Sequence, residues 1–548
     1  MKRRSATLLS ACLLASACLQ SAPPPSTPQP TADDADPNGG IVTAISADPD
    51  TIDPQLASFP GEIAQVAMAF ESLLSFEPST LRPIPAAARD LPEISDDGLT
   101  VTFTLRDGLT YSDGAALRAR DFVYGWQRLC DPNVSGAYQF VAYVIRGCEA
   151  WSSMDPKRAT ADQLTAARDA VGVRADGDRQ VVFRLVAPAP YFLSIAALWV
   201  GSPTRQSDAT GRSGARPGWV TPATYAGNGP FRLTEWTHGA RLVFERNDRA
   251  RVPARLKRWT KVIVTDPATA QAAFQRGELD VTTASRDETP AATAPGGCSH
   301  YYGFNTRIPP FDDASVRLAF AKALDRDSYV RDAVTVAAAP ALSLIPRGIP
   351  GSDASDDTQA FDPVAARSLL ASSRYGDAMP RITFRYLARA TTTPRVDWAI
   401  AQWRANLGVT VIQDPVDPGW WGPLVKSSEL QPALLVLGWC TDYPDPKAWL
   451  PELFRSGSTA QRTGYASSAF DALVARADVE ADPAKRLDLY RAAQRVLTRD
   501  APVAFMASTE ARYLVNPRLH GYSLTAFDSD FGQFTLANLY LSRPFAHP

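Results

Sequence analysis

Six cysteines are the residues of this 548-residue sequence whose chemistry is easiest to assign. Two of them lie within the first 18 residues, and the other four are spread along the chain: Cys130, Cys148, Cys298 and Cys440. An even set of cysteines in an exported protein favours disulfides. A zinc site is not indicated, because no CxxC or CxxH spacing occurs. Proximity in sequence favours a disulfide between Cys130 and Cys148, which leaves Cys298 to pair with Cys440. Four buried free thiols are the alternative.

The sequence lacks the motifs of the common catalytic sites. It contains no GxSxG elbow, no HExxH, no P-loop and no GxGxxG after a strand. The four histidines are scattered, and none adjoins a candidate nucleophile: His238, His300, His520 and His547. We therefore expect a protein that is not an enzyme and has no metal and no cofactor. A secreted hydrolase whose triad assembles only in the fold is the alternative.

The first 17 residues have the pattern of an export signal. Lys2–Arg4 precede a short apolar stretch, Ala6–Ala17, that is too short to span a bilayer. Cys18 follows directly and is predicted to become the lipid-modified N-terminus. Cys12 after Leu9 fits the lipidation pattern better but leaves almost no apolar region before it. An ordinary secretory signal is the other alternative.

Residues 18–40 are dominated by Pro, Ala, Ser, Thr and Asp, which predicts a flexible tether. No later run is apolar enough to span a bilayer. We expect an exported lipoprotein of the periplasm or cell surface, held to the membrane by its lipid alone. The net charge is -2 and falls to -5 when the three basic residues of the signal are removed. This balance argues against a nucleic-acid partner.

The remaining chain has the composition of a globular protein, because 45% of residues are hydrophobic and 21% are charged. Four segments have the pattern of strands: 41–45, 99–105, 181–185 and 242–245. Four have helical spacing: 316–324, 363–370, 396–405 and 484–497. Asp362 followed by Pro363 is a typical helix start. Buried strands are predicted at 409–412 and 433–437 after helices, as in βαβ units. The fold class is therefore α/β.

Ten short motifs occur in one order along the chain. They are Asp50–Pro54, Phe70–Leu74, Leu105–Gly108, Tyr111–Gly114, Arg120–Trp126, Asn228–Phe231, Phe244–Asn247, Gly277–Asp280, Val316–Arg326 and Gly438–Pro446. Together they resemble the extracytoplasmic solute-binding proteins of peptide ABC importers, solute-binding protein family 5, and within it the oligopeptide-binding proteins. The resemblance runs from about residue 41 to about residue 541.

The resemblance implies a two-lobed clamshell with an extra subdomain and a ligand cleft between the lobes. The segments would be a signal at 1–17, a tether at 18–40, lobe 1 at 41–70, 194–297 and 511–548, the extra subdomain at 71–193, and lobe 2 at 298–510. The family also pairs the cysteines at the positions of Cys298 and Cys440. Cys130 and Cys148 have no such counterpart.

Asp442 matches the residue that binds the peptide α-ammonium in the family. A peptide receptor must hold backbone and termini while tolerating many side chains, so one carboxylate in a water-poor cleft suits the task. Gly438 and Cys440 match positions whose main chain pairs with the ligand. The alternative is that Asp442 only caps a turn beside Pro444.

Further residues are expected to contact the ligand by the same resemblance. Trp439 and Trp420 or Trp421 would line side-chain pockets, and Tyr138 would donate a hydrogen bond. Tyr301 lies near Cys298, and Ser58 with Phe59 would present backbone from the other lobe. Packing within the core is the alternative for these aromatic residues.

The chain departs from the family where short peptides are held by their carboxylates. Val436 and Val334 replace two basic residues, and Thr283–Ser285 replaces an Asn-rich stretch. Arg395 lies close to a third basic position and could still bind a carboxylate. We expect a monomer that binds a peptide and delivers it to ABC permease subunits. A non-peptide solute such as a metal chelate, haem or a sugar is one alternative, and a chaperone-like lipoprotein is another.

Overall fold

The computed structural model describes residues 35–209, 218–376, 378–417, 419 and 432–543. The predicted export signal, Cys18, and Trp420 with Trp421 lie outside the described residues. Nineteen strands are present in this part of the chain. They are β1 Gly40–Ile45, β2 Leu74–Phe76, β3 Pro83–Pro85, β4 Glu93–Ile94, β5 Thr100–Thr104, β6 Val173–Asp176, β7 Gln180–Arg184, β8 Phe231–Thr237, β9 Arg241–Arg246, β10 Arg258–Ile263, β11 Val281–Thr283, β12 Ala292–Phe304, β13 Ala338–Pro340, β14 Ile382–Leu387, β15 Val411–Val416, β16 Leu434–Cys440, β17 Val503–Val515, β18 Leu519–His520 and β19 Tyr540–Leu541.

The helices alternate with these strands. They are α1 Pro60–Ala69, α2 Ala119–Cys130, α3 Cys148–Ser152, α4 Ala161–Asp169, α5 Phe192–Ile195, α6 Gln206–Ala209, α7 Pro267–Gln275, α8 Ala314–Lys322, α9 Arg326–Asp332, α10 Pro363–Ser372, α11 Thr393–Leu407, α12 Leu450–Phe454, α13 Ser468–Val479 and α14 Pro483–Asp500. In the described residues no helix is long and apolar enough to cross a membrane.

Local sequence explains where the longer helices begin. Asp362 caps α10 by accepting hydrogen bonds from the N–H groups of Val364 and Ala365, and proline occupies the first helical turn. Asp482 caps α14 in the same way. The predicted start of α10 at Pro363 is therefore confirmed by the structure.

A nine-stranded sheet forms the centre of the molecule. Its order is β16-β12-β17-β11-β1-β10-β9-β8, with β13 also paired to β17. The strands β12 and β17 are each 13 residues long and antiparallel to one another. One hydrophobic core contains Trp126, Trp219 and Trp259, and a second contains Phe320 and Trp403. The two long strands contribute residues to both cores, so they connect the two packed regions.

A separate four-stranded sheet, β4-β5-β7-β6, lies within residues 93–184. The Cys130–Cys148 disulfide joins α2 to α3 beside it. The chain leaves and re-enters the main body at neighbouring points, because Leu74 N–H donates to the Ala196 carbonyl at 3.4 Å. This segment is thus an insertion into the larger fold.

The Asp50–Pro54 motif attaches this insertion to the central sheet. Asp53 is fully buried and makes a two-point ion pair with Arg128 of α2, with both N–O distances at 2.6 Å. Trp219 Nε1–H donates to the same carboxylate at 3.1 Å, and Arg128 also donates to Gln55. A buried charge pair of this kind requires both partners, because either one alone would be left uncompensated.

The predicted βαβ unit is present at β14-α11-β15, since β14 and β15 pair in parallel. The strand predicted at 409–412 is only partly buried, because residues 412 and 413 are exposed. The strand predicted at 433–437 is β16, and it pairs antiparallel with β12 rather than in a parallel unit. The second difference arises because β16 pairs with a segment that is distant in the sequence.

Candidate functional site

The strand β16 is an edge strand of the central sheet. Cys298 pairs with Cys440 across β12 and β16, and their Cα atoms are 4.0 Å apart. This short spacing identifies a non-hydrogen-bonded pair of an antiparallel ladder. Because the pattern alternates, the N–H and C=O groups of Gly438 and Cys440 point away from β12. Thr441 N–H donates to the Gly297 carbonyl at 2.9 Å, which agrees with this alternation.

In the described part of the chain no strand pairs with the outer side of β16, so this free edge can accept another extended chain. Gly438 and Cys440 are both exposed. An added strand would pair with their main-chain groups without using its side chains. The sequence predicted these two residues for such a role, and the geometry is compatible with it.

Asp442 follows β16 directly and meets Tyr138 from the inserted segment. Tyr138 Oη–H donates to Asp442 Oδ1 at 3.1 Å. Burial raises the pKa of the Asp442 carboxyl from 3.8 to about 6, the hydrogen bond from Tyr138 opposes this rise, and the negative charge of Glu452 adds to it. In the described part of the chain this carboxylate forms no ion pair. It is thus a partly desolvated negative charge that a cation would stabilise.

The turn that carries Asp442 is held rigidly from behind. Arg486 of α14 makes two hydrogen bonds to the buried carboxylate of Asp445, at 2.6 and 2.7 Å. Tyr191, from the inserted segment, stacks on Tyr443 with ring centroids 6.4 Å apart. Burial and the surrounding carboxylates raise the pKa of the Tyr191 hydroxyl. These contacts fix the position of Asp442 without touching its carboxylate.

Trp439 and Tyr301 lie on the same face of the β12–β16 strand pair. Trp439 Nε1–H donates to the Ala448 carbonyl at 3.1 Å. Tyr301 is only 5% exposed, and its ring packs in the first hydrophobic core. The structure places both near the site, and their contact with a ligand stays a prediction.

Ser58 and Phe59 lie at the start of α1. Both main-chain N–H groups donate to Glu62 Oε2, at 2.8 and 3.0 Å. The preceding Ala57 carbonyl accepts a hydrogen bond from Trp199 Nε1–H at 2.9 Å. Trp199 in turn packs against Tyr138, so Ser58 and Phe59 are connected to Asp442 through two aromatic rings.

Arg395 forms a second group with His300, which lies farther from Asp442 along the β12–β16 strand pair. His300 faces Gly438 across the strand pair, and Tyr302 Oη–H donates to the Arg395 carbonyl at 2.7 Å. Burial and the positive charge of Arg395 lower the pKa of His300 to about 4. Among the residues that the structure describes, Arg395 Nε and His300 Nδ1 are buried without a hydrogen-bond partner. Within the same residues, no ion pair joins Arg395 to Asp442.

Two residues that pack against Tyr138 were not singled out from the sequence. Trp199 and Phe140 both pack against Tyr138, with ring centroids 4.8 and 5.5 Å away. Trp199 is separated from Tyr138 by 61 positions. No local sequence pattern connects Trp199 with Tyr138. Phe140 is distinguished only by being an exposed large hydrophobic residue in the folded chain.

Comparison with known proteins gives a consistent result. Residues 82–461 match the model of the bacterial extracellular solute-binding proteins, family 5. The oligopeptide-binding protein OppA of Bacillus subtilis is 29% identical over 441 residues, which cover 75% of this chain and 77% of that protein. The periplasmic oligopeptide-binding protein OppA of Salmonella typhimurium is 29% identical over 465 residues, covering 80% of each chain.

A solved structure extends the comparison to the fold. The unliganded open form of the periplasmic murein tripeptide-binding protein MppA has a TM-score of 0.81 with this chain. The two are 24% identical, and the match covers 94% of this chain and 99% of that one. The common fold is a two-lobed α/β clamshell with mixed sheets flanked by helices, as the sequence resemblance implied.

Proposed function

Because the chain belongs to the family 5 bacterial extracellular solute-binding proteins, we propose that it captures oligopeptides in the cleft beside β16 and delivers them to the permease of an ABC transporter. In this proposal Cys18 carries the lipid that anchors the exported protein to a membrane. The protein acts as a monomer and binds rather than transforms its ligand. The lobe boundaries given above belong to the same proposal.

The observation that carries the proposal is the position of Asp442 at the end of a free strand edge. An extended peptide paired with Gly438 and Cys440 would place its α-ammonium near this carboxylate. Main-chain pairing and one terminal charge are features common to all peptides. The site can therefore bind many sequences with one geometry.

The names of the relatives agree with this assignment. The two curated relatives are described as oligopeptide-binding proteins, and the structural relative as a murein tripeptide-binding protein. All three names describe peptides, which supports a peptide ligand over a sugar, haem or metal chelate for this chain. Burial of Asp442 beside Glu452 also favours a cationic ligand over an anionic one.

Native mass spectrometry of the purified protein tests the proposal directly. The protein is measured intact, then denatured, and the released molecules are sequenced. We expect a series of peptide masses. One non-peptide mass would keep the clamshell but replace the substrate.

A matched pair of synthetic peptides tests recognition of the ammonium. The two peptides have the same sequence, and one is acetylated at its N-terminus. We expect calorimetry to show binding of the free peptide and roughly 10- to 100-fold weaker binding of the acetylated one, because a charge-assisted hydrogen bond contributes about 1.5–3 kcal/mol. Equal affinities would contradict the role of Asp442.

A further inference from the structure

Three aromatic side chains form a cluster beside Asp442: Tyr138, Phe140 and Trp199. Tyr138 is the central member, since its ring contacts both others and its hydroxyl reaches Asp442. Phe140 is 40% exposed, whereas Trp199 is buried. The aromatic cluster thus presents one open ring, that of Phe140, which is joined to the carboxylate through Tyr138.

The aromatic cluster is fixed in place by main-chain contacts. Trp199 Nε1–H donates to the Ala57 carbonyl, and Gln139 Nε2–H donates to the Asp131 carbonyl at 3.0 Å. Gly136 packs so closely on the Gln55 carbonyl that a β-carbon at position 136 would overlap it. The segment that carries Tyr138 and Phe140 is therefore held against residues 55–57, and Phe140 is exposed on a rigid support.

A ligand group at this point needs two chemical properties. The carboxylate of Asp442 favours a positive charge, and the aromatic cluster favours an apolar surface. The N-terminal residue of a peptide can supply both. Its α-ammonium and its side chain branch from the same carbon, so an ammonium at Asp442 brings the side chain within reach of the aromatic cluster that begins with Tyr138.

We propose that the cleft selects peptides whose N-terminal residue is large and apolar, and that Phe140 determines this specificity. This inference rests on the proposed peptide-binding function. The ring of Phe140 packs against the first side chain of the bound peptide. Acidic first residues are disfavoured because the carboxylate of Asp442 repels them.

Calorimetry with four tripeptides tests the inference on the full chain. The peptides are Phe-Ala-Ala, Leu-Ala-Ala, Ala-Ala-Ala and Asp-Ala-Ala. The unmodified protein should bind Phe-Ala-Ala about fivefold or more tightly than Ala-Ala-Ala, which is the range expected for an aromatic contact. Leu-Ala-Ala should be intermediate, and Asp-Ala-Ala should bind most weakly.

Substitution of Phe140 then assigns the preference to this residue. Phe140→Ala should bind Phe-Ala-Ala and Ala-Ala-Ala with affinities within twofold of each other, while its affinity for Ala-Ala-Ala stays unchanged. Phe140→Tyr keeps the ring and should keep the preference. Phe361→Ala is the matched control, because Phe361 is 44% exposed and lies just before α10.

The outcomes separate the inference from the function beneath it. If none of the peptides binds the unmodified protein, the proposed function and the inference both fail. If the four bind equally, or if Phe140→Ala retains the preference for Phe-Ala-Ala, peptide capture stands and the specificity role of Phe140 is wrong.

Discussion

Asp442 carries a negative charge whose burial is unfavourable until a cation binds beside it. Its hydrogen bond from Tyr138 offsets only part of the desolvation. Asp442→Asn preserves the shape of the side chain and removes the charge. We expect peptide affinity to fall by about 10- to 100-fold, measured by calorimetry, with the melting temperature kept or raised.

The matched control for this substitution is Asp287→Asn. Asp287 is exposed and lies between β11 and β12, outside the Asp442 group. The peptide affinity of the Asp287→Asn variant should stay within twofold of that of the unmodified protein. Equal losses in both variants would show that a general change of charge, and not contact with the ligand, weakens binding.

The raised pKa of Asp442 also predicts how binding depends on pH. Its carboxyl has a pKa of about 6 in the empty site, above the ordinary 3.8, so protonation competes with the ligand ammonium below pH 6. Affinity should be full near pH 7 and roughly tenfold weaker at pH 5. For the empty protein, this group lowers stability as the pH rises from about 4 to 6, because the folded state binds more protons there.

Calorimetry between pH 5 and 7 measures this dependence, since the peptide α-amino group stays mostly protonated over that range. Asp442→Asn should remove most of the slope. A slope that persists in the variant would assign the titration to a group other than Asp442.

At the scale of the strand, the free edge of β16 makes a prediction that needs no substitution. The amides of Trp439 and Thr441 point toward β12, whereas those of Gly438 and Cys440 point away. Hydrogen exchange resolved by residue should show Trp439 and Thr441 protected with or without peptide. Gly438 and Cys440 should become protected only when peptide is present. Unchanged exchange at both would rule out pairing along this edge.

Elements with a local signal were predicted well from the sequence. The strand β1, the start of α10 and the strands at residues 100–104 and 180–184 depend on alternation and capping within a few residues. The structure also has both predicted disulfides: Cys130–Cys148, which proximity favoured, and Cys298–Cys440, which was the remaining pair and is the one that the family resemblance implied. By contrast, the antiparallel pairing of β16 depends on β12, which ends 130 positions earlier.

The residues of the candidate site likewise fall into those with a local sequence signal and those that only the fold brings together. Asp442 could be predicted because a contiguous motif surrounds it. Phe140 and Trp199 could not, because their proximity to Asp442 exists only after distant segments pack together. Arg395 lay near a basic position of the family, yet in the fold its side chain is associated with His300.

For the whole molecule, the two 13-residue strands predict where closure takes place. β12 and β17 connect both hydrophobic cores, so a ligand held between the lobes should bring them together by bending there. Small-angle X-ray scattering should show a smaller radius of gyration with saturating peptide. Asp442→Asn at the same peptide concentration should give the value of the empty protein. No change in the unmodified protein would contradict the lobe arrangement that we propose.

The return of the chain to its starting point has a consequence for how such a gene could be assembled. Leu74 meets Ala196, and Phe304 N–H donates to the Pro502 carbonyl at 2.9 Å. Residues 75–195 therefore begin and end at one point, and residues 305–501 begin and end beside the paired ends of β12 and β17. No strand of the central sheet lies within residues 75–195, so this segment could be acquired as one block of coding sequence while the sheet keeps its register. Residues 305–501, by contrast, supply β13 and β16 to that sheet. Asp442 and Tyr138 meet because each belongs to a different one of these two segments.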